Sequence, residues 1–485
     1  MQSNWIFPTV ILLISLFSFG LSRFLFFRGE DKKALLLLIV GGFALRFFMS
    51  SDPFLHAWDE RYHALVAKNV ISHPWLPTLY DHPILPYDFR NWSANHIWVH
   101  KPPIPIFSMA ISLHFFGVNE FALRLPSMIL STIGIWFCYQ LALRLFDKNV
   151  AWMTGFLFAI QGMVLEVGSG RTATDHYDLF FLIFILIAVY FSVRAVDEKS
   201  FFWYASGVFL ALALMTKWLP ALLVFPLAIL YYIHRKKRIE KELILGLFKI
   251  FIVAIGPVVY WQFYIFQHFP TEATWEASFN ARHLTEVLDE QGGSIFYHFD
   301  KMRILFGELV YLPLIMLIYR AFKEKKNVKL WFLVTWIMVP FLFFSIAQTK
   351  MQAYTLFTAP ALVITISAFY VQLIENHKKY TYPKLVTFVA FLLWALPVRY
   401  TFERAKFFQL DNGKIEATNF IKNQRFKKEK VVIVSSDMPI EWMFYKEVIA
   451  YEDLPRSVEI QRLKQDGYLV YEEIKSNEKW ELVKL

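Results

Sequence analysis

Residues 177–195 read YDLFFLIFILIAVYFSVRA, an apolar run long enough to cross the hydrocarbon core of a bilayer as one helix. A polar turn precedes it, Gly168-Ser169-Gly170-Arg171-Thr172-Ala173-Thr174-Asp175, and Arg194 and Lys199 close it. The same unit recurs along most of the chain, at about 5–27, 34–49, 121–143, 150–169, 201–216, 219–234, 245–266, 303–320, 330–347, 354–373 and 384–400. The expected fold is mainly α, a polytopic membrane bundle of about twelve transmembrane helices.

Composition agrees. Of 485 residues 56% are hydrophobic and only 19% charged, where a soluble domain would carry about a quarter charged. A net charge of +10 would suggest nucleic-acid binding in a soluble protein. Here the basic residues fall in short connections between apolar runs, so no nucleic-acid partner is expected. Cys138 is the single cysteine, which excludes an intrachain disulfide. The first run, Trp5 to Phe27, is too long for a signal-peptide core and reads as a retained span.

Lys and Arg cluster in every second connection: at Arg28 to Lys33, Arg144 and Lys148, Arg194 and Lys199, Arg235 to Arg238, Arg320 to Lys326, and Lys378 with Lys379. The positive-inside rule makes those connections cytoplasmic and both termini external, in an integral plasma (inner) membrane protein. The outer, periplasmic side then holds the long segments 50–120 and 267–302, the turns at Arg171, Lys217 and Lys350, and everything after about residue 400. Within 50–120, Glu60 to Ile71 and Ile104 to Phe116 are too short to span and read as interfacial helices. The expected division is a membrane domain over 1–400 and a small soluble α/β domain over 401–485, with strands at 430–435 and 467–471 and a helix at 440–446. No internal repeat, P-loop, GxGxxG, zinc-ligand spacing or nucleophile elbow is present.

Polar residues at the outer helix ends carry the chemistry. Asp59 and Glu60, in Trp58-Asp59-Glu60-Arg61-Tyr62, stand beside a membrane span; a helix N-terminus also favours carboxylates. Lys101, in His100-Lys101-Pro102-Pro103, is either a snorkelling lysine or a pinned cation. Arg171 and Asp175 can form a local pair or an N-cap, whereas Lys217, in a tight turn between two apolar helices, reads as functional. Arg282 and His283 lie in the second long segment, and Lys350 with Tyr354 at a late turn. A ring of such cations suits an anionic lipid phosphate at the membrane boundary.

In order along the chain, Asp59-Glu60-x-Tyr62, Lys101-Pro102-Pro103, Phe116 to Ser127, Arg171-x-x-x-Asp175, Met215-Thr216-Lys217, Arg282-His283-Leu284 and Pro340 to Tyr354 resemble the motifs of the GT-C glycosyltransferases that use polyprenyl-phosphate sugars. The similarity is to the bacterial branch related to the lipid A aminoarabinose transferase and the protein O-mannosyltransferases. Three departures are a longer segment 71–100, Ile104-Pro105-Ile106-Phe107 where an aromatic pair often stands, and the additional span 5–27. The resemblance implies transfer of one sugar from a polyprenyl phosphate to an acceptor hydroxyl of lipid A, another glycan or a protein, with inversion at the anomeric carbon. It implies Asp59 as the base, and Glu60 as its partner or as a ligand, with Asp59, of a divalent cation; no other cofactor is implied. Tyr62, Lys101, Arg171, Asp175, Lys217, Arg282, His283, Lys350 and Tyr354 would bind the substrates. The alternative is a transporter or flippase for lipid-linked sugars, which predicts ionisable groups at mid-membrane and symmetric halves.

Overall fold

The structure is a computed structural model that describes residues 6–172, 175–405, 411–426, 430–476 and 479–485. Helices α1 (Ile6–Phe27) and α2 (Asp31–Met49) form a hairpin, followed by the two short helices α3 (Asp59–Ser72) and α4 (Ile104–Phe116). The bundle continues with α5 (Glu120–Leu145), α6 (Lys148–Ala159), α7 (Gly162–Gly168), α8 (His176–Asp197), α9 (Phe202–Lys217), α10 (Val224–Lys236) and α11 (Lys241–His268). After α12 (Pro270–Arg282) and α13 (Tyr297–Phe306) come α14 (Tyr311–Lys323), α15 (Val328–Ile346), α16 (Ala359–Asn376) and α17 (Pro383–Ala405).

The run that opened the sequence reading is the axis. Helix α8 is apolar all round, and nearly all its side chains are buried. That is what a helix surrounded by others requires. It packs against α5, α9 and α10, and its N-terminus, Asp175 to Asp178, emerges at the end of the bundle that carries the long loops.

Not every one of the twelve expected runs forms a helix long and apolar enough to span. Among the described residues seven helices are long and apolar enough to cross a membrane, or nine if two bent pairs each count as one span. Helices α9 and α10 have only 16 and 13 residues, and α2 carries Asp31, Lys32, Lys33 and Arg46. The run 150–169 bends by 45° between α6 and α7. There Gln161 caps α7 through Val164 N (2.6 Å) and donates to Leu305 O (2.8 Å), while buried Arg46 donates to the Ala159 carbonyl (3.0 Å) at the break. The run 303–320 turns by 116°, at Gly307, whose φ of 94° only glycine adopts readily.

Helix α17 runs to Ala405, past the expected boundary at residue 400. The C-terminal residues contain α18 (Asn412–Asn423), β1 (Val431–Val434), α19 (Pro439–Tyr445), β2 (Ile449–Ala450), α20 (Ser457–Gln465), β3 (Leu469–Ser476) and β4 (Lys479–Lys484). The sheet order is β2-β1-β3-β4, with β1 parallel to β2 and β3, and β4 antiparallel to β3. This unit shares one apolar core with α3 and α4, in which Ile433 and Trp442 join Leu65 and Met109. Lys68 of α3 donates to the Met443 and Phe444 carbonyls at the end of α19 (2.5 and 3.1 Å). The sheet and the helix bearing Asp59 are therefore packed as one body.

One buried ion pair sets α3 against the bundle. Arg124 on α5 donates to both Glu60 oxygens (2.7 and 3.0 Å) and to the carbonyls of Ser50, Asp52 and Phe54 (3.1, 2.7 and 2.7 Å). Neither side chain is exposed to solvent. Gly170 closes over the pair, since a Cβ there would stand 2.2 Å from a Glu60 oxygen. Replacing Arg124 with Met leaves a buried carboxylate unpaired, and should cost about 3–5 kcal/mol. The thermal midpoint of the detergent-purified protein reads this loss; a midpoint unchanged from wild type would contradict the assignment.

Candidate functional site

Five elements meet at the loop end of the bundle: the N-termini of α3 and α8, the Lys101 segment before α4, the end of α9 and the turn after α15. Asp59 begins α3 and Asp175 caps α8, accepting from Tyr177 N (3.4 Å). His63 stands one turn after Asp59 and its Nδ1 hydrogen-bonds Asp175 Oδ2 at 2.7 Å, with both side chains buried. One ligand atom from each of Asp59, His63 and Asp175 lies within 4.8 Å of the others. This carboxylate–imidazole–carboxylate set suits a divalent cation, and two helix N-termini lie beside it.

Adjacent carboxylates have separate surroundings because successive helical residues point about 100° apart. Asp59 has no hydrogen bond or ion pair among the described residues. Glu60 faces the other way, with its oxygens taken by Arg124 and by the His56 N–H (2.6 Å), and with His176 Nε2 at 3.5 Å. Burial alone would push the Glu60 carboxyl up, but Arg124 overrides it and holds the group far below the usual carboxylate range. A group so reluctant to take a proton is a poor base. Both Glu60 oxygens, expected to assist Asp59 or bind a cation with it, are engaged by Arg124, while His63 and Asp175 stand beside Asp59.

The cations sort in the same way. Lys101 is partly buried and has no hydrogen bond or ion pair among the described residues, while its charge acts on His100, Asp178 and His283. Lys217 pairs with buried Asp178 (2.5 Å) and lies 4.8 Å from the centre of the Tyr354 ring. The second Asp178 oxygen is buried without a hydrogen-bond partner. Asp59 interacts electrostatically with Tyr354, Tyr177 and His100, so these groups border one space. His100 Nδ1 hydrogen-bonds Glu276 (2.8 Å), and its ring stacks on Trp92 (4.9 Å); burial, and then the charge of Lys101, pull the imidazole down. His283 is lowered by the same two causes in the same order. Its carbonyl accepts from Thr349 N (3.1 Å), tying the second long loop to the Lys350 turn.

The other expected contacts are committed elsewhere. Arg171 binds Asp52 (2.8 Å) and the Ala405 carbonyl (2.6 Å), not Asp175. Lys350 is buried against the carbonyls of Ser345 (3.1 Å) and Ala347 at the end of α15. Arg282 is exposed and paired with Glu286 (2.7 Å). Tyr62 accepts from Arg61 (3.0 Å) and packs edge-on to Trp92 (4.9 Å), one ring removed from His100. The sequence reading missed His63, Asp178 and Glu276 as site residues. His63 follows Asp59 by four and Asp178 follows Asp175 by three, both spacings that share a helix face. Glu276 carried no such signal.

Two tryptophans flank the key groups. Trp58, just before Asp59, and Trp218, just after Lys217, have φ of 71° and 36°, in the left-handed region. Such conformations cost about 1–3 kcal/mol each and persist where surrounding structure imposes them.

A family model described as dolichyl-phosphate-mannose-protein mannosyltransferase matches residues 100–261, which include Lys101, Asp175 and Lys217. The undecaprenyl phosphate-alpha-4-amino-4-deoxy-L-arabinose arabinosyl transferase 1 of Pseudomonas fluorescens (strain Pf0-1) is 24% identical over 279 residues, covering 54% of this chain and 48% of the relative. The corresponding transferase of Erwinia tasmaniensis is 26% identical over 277 residues, covering 55% and 49%. The chain thus spans about half the length of the curated relatives it matches. Among solved structures, ArnT from Cupriavidus metallidurans bound to undecaprenyl phosphate matches with a TM-score of 0.65 at 13% identity, over 91% of this chain and 93% of that one. The archaeal oligosaccharyltransferase AglB from Archaeoglobus fulgidus, in complex with an inhibitory peptide and a dolichol-phosphate, matches at 0.58 and 12%, over 92% and 70%. The chain is thus similar in fold to ArnT and AglB, and similar in sequence to transferases named for an undecaprenyl-phosphate sugar.

Proposed function

We propose that the protein transfers a single sugar from a polyprenyl-phosphate donor to an acceptor hydroxyl at the outer face of the membrane, inverting the anomeric carbon. The observation that carries this reading is the uncommitted Asp59 carboxylate, held between the His63–Asp175 pair and the cations Lys101 and Lys217. The names of the curated relatives support undecaprenyl phosphate as the lipid of the donor. The acceptor is a hydroxyl of lipid A, another glycan or a protein.

Asp59 takes the acceptor's proton while the acceptor oxygen forms its bond to the anomeric carbon. The bond from that carbon to the phosphate oxygen breaks, and the lipid phosphate leaves with the electron pair. Lys101, which has no hydrogen-bond or ion-pair partner among the described residues, binds the leaving phosphate. Lys217 supplies a second positive charge from its pair with Asp178, and the free Asp178 oxygen accepts from a sugar hydroxyl. His63, oriented by Asp175, positions Asp59. A divalent cation held by Asp59, His63 and Asp175 would supply charge neutralisation beside the phosphate. Seating both substrates at one interfacial cleft contributes rate through proximity.

Asp59→Asn, assayed for sugar transfer in proteoliposomes, should lose about 10²- to 10⁴-fold in turnover with donor affinity retained; near-normal turnover would refute the base assignment. Lys101→Ala should weaken donor binding tenfold or more, about 1.4 kcal/mol. Arg282→Ala and Lys350→Ala should leave donor affinity within a few-fold of wild type. Equal losses from all three substitutions would contradict the sorting of cations.

A further inference from the structure

Away from Asp59, the segment after α3 gathers two imidazoles about one carboxylate. His73 Nε2 lies 3.6 Å and His82 Nε2 3.5 Å from the same oxygen of Asp81. One ligand atom from each of the three residues lies within 4.8 Å of the others. We propose that His73, Asp81 and His82 bind a divalent transition-metal ion, which pins the end of α3 to the loop that supports the C-terminal sheet.

The separations suit such an ion. Two ligands each about 2.1 Å from a tetrahedral centre stand about 3.4 Å apart, close to the two values observed. An ordinary ion pair explains the arrangement less well. One carboxylate oxygen satisfies one imidazolium, and a second beside it brings like charges together. As neutral imidazoles both rings instead present lone pairs. Two nitrogens and one oxygen favour zinc, nickel or copper over magnesium or calcium. His82 is 79% exposed, so a fourth position opens to water and the ion can enter from solvent.

The frame that orients the ligands is already built. The His73 N–H donates to Asn69 O (3.1 Å) at the end of α3, and the Asn69 side chain donates to the Thr78 and Leu79 carbonyls (3.1 and 2.9 Å). The Thr78 hydroxyl lies 3.4 Å from the Asp81 oxygen that the histidines leave free. This gives the ligand the hydrogen-bonded support that metal-binding carboxylates use. Tyr80, next to Asp81, stacks on Tyr451 (5.2 Å) and donates to Ala450 O (3.0 Å) in β2. An ion bridging residues 73 and 81 therefore ties α3, whose first residue is Asp59, to the sheet. The spacing His73-x7-Asp81-His82 differs from the familiar zinc patterns, which is why the sequence alone did not disclose it.

The test is zinc binding to the full-length, chelator-treated protein in detergent, with zinc sulfate as probe and cobalt(II) absorption as a second readout. Wild type should bind one more equivalent at pH 7.5 than His82→Ala, whose exposed side chain can be removed without disturbing the fold. His73→Ala should lose the same equivalent. Asp59→Asn should keep it, which separates this site from the group around Asp59. Zinc should raise the thermal midpoint of wild type but not of His82→Ala. Equal stoichiometry and affinity in wild type and both histidine variants would overturn the proposal, as would an equivalent lost with Asp59 rather than with the histidines.

Discussion

The buried pair between Glu60 and Arg124 is the constraint on which the rest depends. Arg124 rises from a membrane helix, gathers three carbonyls of the loop at 50–54, and holds the first turn of α3 against the bundle. Gly170 leaves just enough room for the carboxylate. Removing two charges from water is expensive, and such a pair is retained only when its geometry satisfies both partners. The consequence falls on the neighbouring residue. With Glu60 fixed inward, helical geometry turns Asp59 toward His63 and Asp175.

The axis of the bundle supplies the opposing wall. Helix α8 is buried nearly throughout, and its capping Asp175 and first-turn Asp178 reach the same space as Asp59. A partly buried surround strengthens the charges placed there relative to water. That explains why most cations at this end are already paired: Arg171 with Asp52 and Lys217 with Asp178. Lys101 stands apart from them, with no hydrogen bond or ion pair among the described residues. The buried guanidinium of Arg46, deeper in the bundle, donates through Nε and one terminal nitrogen to Ser131, Gly42 and Ala159.

Much of this was legible in the sequence, and the remainder was not for identifiable reasons. The apolar runs located the helices, and the thirteen-residue helix before Gly117 appears at its expected bounds. Hydropathy could not show the breaks at Gln161 and Gly307, because they depend on tertiary partners such as Arg46 and Leu305. Strands β1 and β3 were legible as β-branched and aromatic runs, whereas two-residue β2 was too short to leave a pattern. At the site, residue type alone did not separate the adjacent acids Asp59 and Glu60; the family resemblance singled out Asp59. Their division of labour rests on Arg124, 64 positions later. Lys217 was marked by its tight turn, but its partner Asp178 is 39 positions away and was hidden in an apolar run.

The central claim is that two neighbouring carboxylates do different work, one reacting and one anchoring. A structure with a non-cleavable phosphonate analogue of the donor bound would test it most directly. The account predicts the phosphonate on Lys101, the anomeric carbon facing Asp59, and Glu60 still held by Arg124. A structure in which Glu60 leaves Arg124 to meet the sugar, or in which the phosphonate sits away from Lys101, would contradict it.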